Sequence, residues 1–124
     1  MTADDLKART KAFALRVMRC VAVLPNQPVA WVIGKQLVRS GTSVGANYRA
    51  ACRARSGAEF AAKLAIVIEE ADECCYWLEL IIESGLLVHS KVEPLLAEAN
   101  ELTAIMVASR KTATSDRSAS NLQS

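Results

Sequence analysis

The sequence predicts an all-α protein, an antiparallel up-and-down four-helix bundle. Three observations carry that expectation: apolar residues recur at helical spacing over long stretches, breakers divide the 124 residues into four segments, and aromatic residues and turn formers are scarce. Only 2 Trp, 2 Tyr, 2 Phe, 5 Gly and 3 Pro occur, which disfavours a sandwich or barrel. At 52% apolar residues and a mean hydropathy of +0.17, the composition is that of one globular domain.

The first helix is expected over about Ala3–Leu24, ending at Pro25-Asn26-Gln27-Pro28, where two prolines remove donors and bias the residues before them away from helix. Thr2 suits its N-cap, and Asp4 and Asp5 complement the helix dipole in the first turn. The second is expected over about Val29–Arg55. Its middle, Ser40 to Asn47, is weakened by Gly and Ser. Even so, Ile33, Leu37, Val44, Tyr48 and Ala51 keep one register through it, which a loop would lose.

The third segment opens on a capping-box pattern, Ser56-Gly57-Ala58-Glu59. It continues as Phe60, Leu64, Val67, Ala71, Cys74, Leu78 and Ile81, alternating steps of four and three, up to a left-handed cap at Ser84-Gly85. The fourth is expected over about Lys91–Lys111, with Pro94 in its first turn, where proline is tolerated. The bundle domain is therefore placed at residues 1–111, and residues 112–124 are expected to form a flexible polar tail. Gly41 and Gly45 read as a tight helix-packing seam rather than as a phosphate-cradling loop.

Helix one carries two apolar stripes, Leu6, Phe13, Val17, Val21 and Leu24 on one side, and Leu15 and Met18 with Ala8 and Ala22 nearly opposite. Helix three carries a second stripe of Ile66, Trp77 and Leu80. A bundle helix buries one stripe, so the second set predicts self-association, with Leu15, Met18, Ile66, Trp77 and Leu80 at the oligomer interface.

Charge is balanced overall, at +2, and divided along the chain. Residues 1–55 hold ten basic side chains and two acidic ones, whereas residues 56–110 hold three basic and ten acidic ones. Such asymmetry fits either a nucleic-acid contact or two halves that neutralise each other on packing. On helix two, Lys35, Arg39, Arg49 and Arg53 share a row about 27 Å long away from the apolar stripe. In one reading this row pairs with Glu70 and Glu73, carboxylates that need partners because apolar residues flank them. In the other it tracks a phosphate backbone. Arg39 is assigned to the ion-pair network with Glu70 and Glu73. Lys35, Arg49 and Arg53, together with Lys7, Lys11, Arg16 and Arg19 of helix one, are assigned to nucleic acid.

Catalysis has little to build on. Cys20, Cys52, Cys74 and Cys75 fall on or near buried faces without a histidine to activate them. His89, the one histidine, lies in the connection before helix four and has no Glu-x-x-His partner. Arginines beside Glu70 and Glu73 would keep both ionised. No Cys-x-x-Cys or glycine-rich nucleotide fingerprint occurs. The expectation is no enzyme, no metal and no cofactor. With a polar N-terminus and no run of eighteen apolar residues, a cytoplasmic protein with reduced thiols and no membrane contact is expected.

The run from Ile33 through Arg49, IGKQLVRSGTSVGANYR, followed by Glu69-Glu70-Ala71-Asp72-Glu73 and Tyr76-Trp77-Leu78-Glu79-Leu80, resembles the four-helix-bundle proteins encoded within intervening sequences of 23S ribosomal RNA genes. The resemblance covers roughly Phe13 to Leu87, and residues beyond Lys111 fall outside it. It implies an antiparallel four-helix protomer, a ring-like homopentamer and no catalysis. A related group, the accessory proteins of diversity-generating retroelements, shares the pentameric barrel and binds nucleic acid through a basic surface. The matching positions here are the basic residues of helices one and two, with Arg39 and Arg49 best fixed by the motif. The partners this implies are other copies of the chain and structured RNA or another nucleic acid. A protein-interaction scaffold is the alternative.

Overall fold

In the computed structural model, four helices surround one apolar core: α1 (Ala3–Ala22), α2 (Pro28–Cys52), α3 (Gly57–Glu83) and α4 (His89–Gln123). The structure describes the backbone of residues 1–123 and the side chains of residues 1–115. Among the described residues there is no strand. α2 packs on α1 and on α3, α3 packs on α4, and α1 meets α4 more lightly.

α1 starts where Thr2 places it. The Thr2 hydroxyl accepts from the Asp5 amide at 3.1 Å while the Asp5 carboxylate accepts from the Thr2 amide at 2.9 Å, a complete capping box. Those bonds hold the Asp5 carboxyl below its usual range. The box expected at Ser56 is half made: Ser56 Oγ accepts from the Glu59 amide at 3.1 Å, but Glu59 turns to the Arg55 amide at 3.4 Å. α3 closes as the sequence requires. Gly85 takes φ +75°, and the amides of Gly85 and Leu86 donate back to Ile82 and Ile81, so the last carbonyls are satisfied in a Schellman turn.

The doubtful stretch Ser40 to Asn47 is helical throughout. Leu37, Val44, Tyr48 and Ala51 are buried in one line, and Leu64, Val67, Ala71, Cys74, Leu78 and Ile81 face them from α3. Between them, hydroxyls that would otherwise weaken the helix bond to its own carbonyls, Ser40 to Gln36 at 3.0 Å and Ser43 to Arg39 at 2.6 Å.

α1 and α2 approach closely because α2 carries glycine along the contact. A Cβ on Gly41 would lie 2.8 Å from both γ-methyls of Val17, and one on Gly45 would lie 3.2 Å from the Thr10 hydroxyl. Gly34 faces Val21 and Leu24 in the same way. Thr10 is fully buried at this seam, its hydroxyl donating to the Leu6 carbonyl at 2.8 Å.

The fourth helix departs from expectation at both ends. It begins at His89, whose ring pairs with Glu93 at 3.0 Å, so this histidine belongs to a helix rather than to the connection. Pro94 consequently stands in the second turn, where the carbonyl deprived of its partner belongs to Ser90, an exposed residue that water can serve. The backbone continues past Lys111 to Gln123, no Gly or Pro following Pro94 to stop it. Of the polar tail expected at 112–124, the side chains from residue 116 onward lie outside the described residues.

Candidate nucleic-acid interface

The seven basic residues singled out from the sequence divide among three places. Lys7 and Lys11 on α1 and Arg49 and Arg53 on α2 line one depression of about 290 Å³, with Ala8 as its small apolar wall. It continues along the glycine seam into a second hollow of about 210 Å³, where Thr42, Gly45 and Ala46 leave the floor low. Gly45 of the seam lines this second hollow, and the lysines and arginines form the rim. Among the described residues, Lys11, Arg49 and Arg53 have no carboxylate within 4 Å, and Lys7 meets only the exposed Asp4, at 3.9 Å.

Arg16 and Arg19 point to a different side of α1. Together with Lys91 and Pro94 of α4 they border a hollow of about 380 Å³ floored by Cys20, Val23 and Leu95. Lys35 stands apart from both groups, beside Trp31 near the connection from α1 to α2. The basic row on α2 is therefore divided into two ends, because Arg39 at its middle is paired with carboxylates.

That middle is Arg39. Its guanidinium donates to Glu70 at 3.2 Å and to Glu73, and Trp77 Nε1–H also donates to Glu73 at 3.1 Å. Arg39 holds the Glu73 carboxyl below the usual carboxylate range, and the indole adds to the effect. The network joins α2 to α3 within one protomer. It leaves Trp77 half-buried and packed against the protomer's own core. Of the five residues assigned to an oligomer interface, Leu15, Met18 and Ile66 are exposed, while Trp77 and Leu80 are half-buried.

The thiols are placed for packing. Cys74 and Cys75 are buried and Cys20 and Cys52 half-buried, all four unpaired. Burial pushes the Cys74 thiol up to about 12, which keeps it protonated at neutral pH. Among the described residues no group of three His, Cys, Asp or Glu could hold a metal ion, and no helix is long and apolar enough to cross a membrane.

Comparison with known proteins fits this arrangement. The family model described as 23S rRNA-intervening sequence protein matches residues 4–108, α1 but for Ala3, all of α2 and α3, and α4 up to residue 108. The chain belongs to this family. A crystal structure of a protein of unknown function from the S23 ribosomal protein family of Bacteroides thetaiotaomicron is similar to it, with a TM-score of 0.82 and 35% identity over 90% of this chain and 99% of that one. No curated protein matches.

In this member of the intervening-sequence family, sequence reasoning missed three participants. Arg9 is the partner of Glu98, at 2.6 and 2.8 Å, and reaches Glu101 at 3.3 Å, a part-buried pair joining α1 to α4. Lys91 joins Arg16 and Arg19 only through packing, and nothing in the sequence announces it. Trp31 did carry a signal, since it stands one turn before Lys35 and extends the basic row by one step.

Proposed function

We propose that this chain is a non-enzymatic, homopentameric protein, each protomer an antiparallel up-and-down bundle, that binds structured RNA through the basic groove between α1 and α2. The observation that carries the reading is the groove itself: Lys7, Lys11, Arg49 and Arg53 converge on one depression from two helices, with Asp4 the single carboxylate in ion-pair range among the described residues. Isolated cations scattered on a surface do not form such a track. Guanidinium and ammonium groups so spaced can bond several phosphate oxygens of one strand, and counterion release then supplies the affinity.

The antiparallel arrangement is supported by the seam, where Gly34, Gly41 and Gly45 meet Leu24 and Val21, then Val17, then Thr10, in descending order along α1. Assembly is supported by Leu15, Met18 and Ile66, which remain 44%, 50% and 43% exposed on the lone protomer. Four unpaired thiols favour a reducing, cytoplasmic setting. The proposed groove does not need a reactive side chain, a metal or a cofactor.

The test is a fluorescence-anisotropy titration with a structured RNA at two salt concentrations. Four phosphate contacts predict that log K falls with log salt at a slope of about −3.6. Absence of binding at low salt would leave the scaffold reading, in which the basic α1–α2 layer of one copy meets the acidic α3–α4 layer of the next. Light scattering checks the assembly, and a monomer would contradict it.

A further inference from the structure

A tryptophan that is both exposed and hydrogen-bonded through its ring stands at the end of the basic row opposite the groove. Trp31 lies in the first turn of α2, where Pro28 occupies the first helical position and the Trp31 amide donates to the Gln27 carbonyl at 3.0 Å. The residue is 59% exposed. Burial therefore does not fix the ring; a hydrogen bond does, Trp31 Nε1–H donating to Asn26 Oδ1 at 2.8 Å. Asn26 sits between Pro25 and Pro28, whose rings stiffen the connection that carries it.

The surroundings point to the class of ligand. Trp31 and Lys35 flank a hollow of about 190 Å³ whose floor is Val21, Leu24 and Gly34. That volume is below the range of drug-sized pockets and suits one small flat group. Lys35 has no carboxylate within 4 Å among the described residues, so an anion one helical turn from the ring would meet a free ammonium. A nucleotide with its base unpaired offers that combination, a π face beside a phosphate. Rings held rigid before binding lose little freedom when a base stacks on them.

We propose that Trp31 is a stacking platform for an unpaired base of the bound RNA, with Lys35 taking the adjoining phosphate. The inference rests on the RNA-binding reading and adds to it a distinct ligand element: paired backbone lies in the α1–α2 groove, and a loop or overhang base lies on Trp31. Row geometry supports the pairing of sites. Trp31, Lys35, Thr42, Ala46, Arg49 and Arg53 follow one face of α2, about 33 Å from end to end. The carboxylates around Arg39 separate the two ends, so an RNA crossing that midpoint must be held on either side of it.

The experiment compares two probes on the full chain: an RNA hairpin with an unpaired loop, and the same stem as a blunt duplex. Trp31→Ala is expected to weaken hairpin binding by about 10-fold, within the 5- to 150-fold range of base–aromatic stacking, and to leave duplex binding within about twofold. Trp31→Phe, which keeps a π face, should restore most of the loss. In a Trp77→Phe background, where Trp31 is the sole indole, the hairpin should quench emission and the duplex should not. An equal effect of Trp31→Ala on both probes, or on neither, overturns the stacking role while leaving the groove intact. A Trp31→Ala variant that falls apart in light scattering overturns it in favour of a second copy covering the ring. Failure of both probes to bind at low salt overturns this inference together with the groove reading.

Discussion

The two faces of α2 are built on opposite terms. Toward α1 the helix carries Gly34, Gly41 and Gly45, and its backbone lies against Val17 and Thr10. Away from the core it carries long cations, of which Arg39 is engaged by two carboxylates and Arg49 and Arg53 by none among the described residues. The difference separates two jobs on one rod. The inner face sets how close α1 comes, and closeness brings Lys7 and Lys11 up to Arg49 and Arg53. Substitutions on the inner face should therefore act on folding, and those on the outer face on the ligand.

The largest effect is expected at Gly41, from a side chain larger than that of alanine. Alanine there would place a methyl 2.8 Å from Val17, an overpacking that costs about 1–3 kcal/mol, against a helix-propensity gain of about 1 kcal/mol. Gly41→Leu should cost more than Gly41→Ala and push α1 outward. Thermal melts at one fixed protomer concentration check this, because an oligomer's Tm varies with concentration. Gly57, with nothing within 4 Å of an added Cβ, is the control: Gly57→Ala should stay within about 0.5 kcal/mol. If the clash with Val17 is the cause, Gly41→Ala costs less in a Val17→Ala background, and strict additivity of the two would refute that contact.

Legibility divides along the same line. The fold was readable because burial imposes a period: α3 repeats in steps of four and three without a break, and α2 keeps its phase through Ser40 to Asn47. The family followed from the same helix-two run and its α3 partner, and the match over residues 4–108 agrees. Which basic residues share a site across helices was not readable. Arg9 and Glu98 are 89 positions apart, and Lys91 reaches the Arg16–Arg19 side only through the packing of α1 on α4. Period says which face a residue is on. It does not say which neighbour stands across from that face. The end of α4 has no signal for another reason: no Gly or Pro follows Pro94 to stop the helix.

An intermediate effect is expected where α1 meets α4. Arg9 and Glu98 side chains are 23% and 16% exposed, so the pair is shielded better than the Arg39 network, and Arg9→Met should cost about 1–2 kcal/mol at neutral pH. Arg9 holds the Glu98 carboxyl below its ordinary value of 4.5. A carboxyl depressed in the folded state stabilises the fold above the unfolded value, and the gain is lost as pH falls through the lowered one. Wild-type stability should therefore decline below about pH 4.5, and Arg9→Met should decline less steeply over the same window. Denaturant titrations at a series of pH values measure both slopes. Equal slopes would show that Glu98 does not depend on Arg9.

The smallest effect on stability, and the sharpest test of the two-faced helix, is expected at the outer end of α2. Arg49 and Arg53 are exposed and without a carboxylate in range among the described residues, so Arg49→Ala with Arg53→Ala should leave ΔG of unfolding within about 0.5 kcal/mol per site. The same pair should lower the salt slope of RNA binding by about 2, one for each lost phosphate contact, which removes charge from the groove without moving its walls. Arg39→Ala provides the contrast on the same face. Its guanidinium is held by Glu70 and Glu73, so removing it frees two carboxylates rather than a phosphate site, and the salt slope should stay as it is. A double variant at Arg49 and Arg53 that melts early, or an Arg39 variant that flattens the salt dependence, would show that the two positions have been assigned the wrong way round.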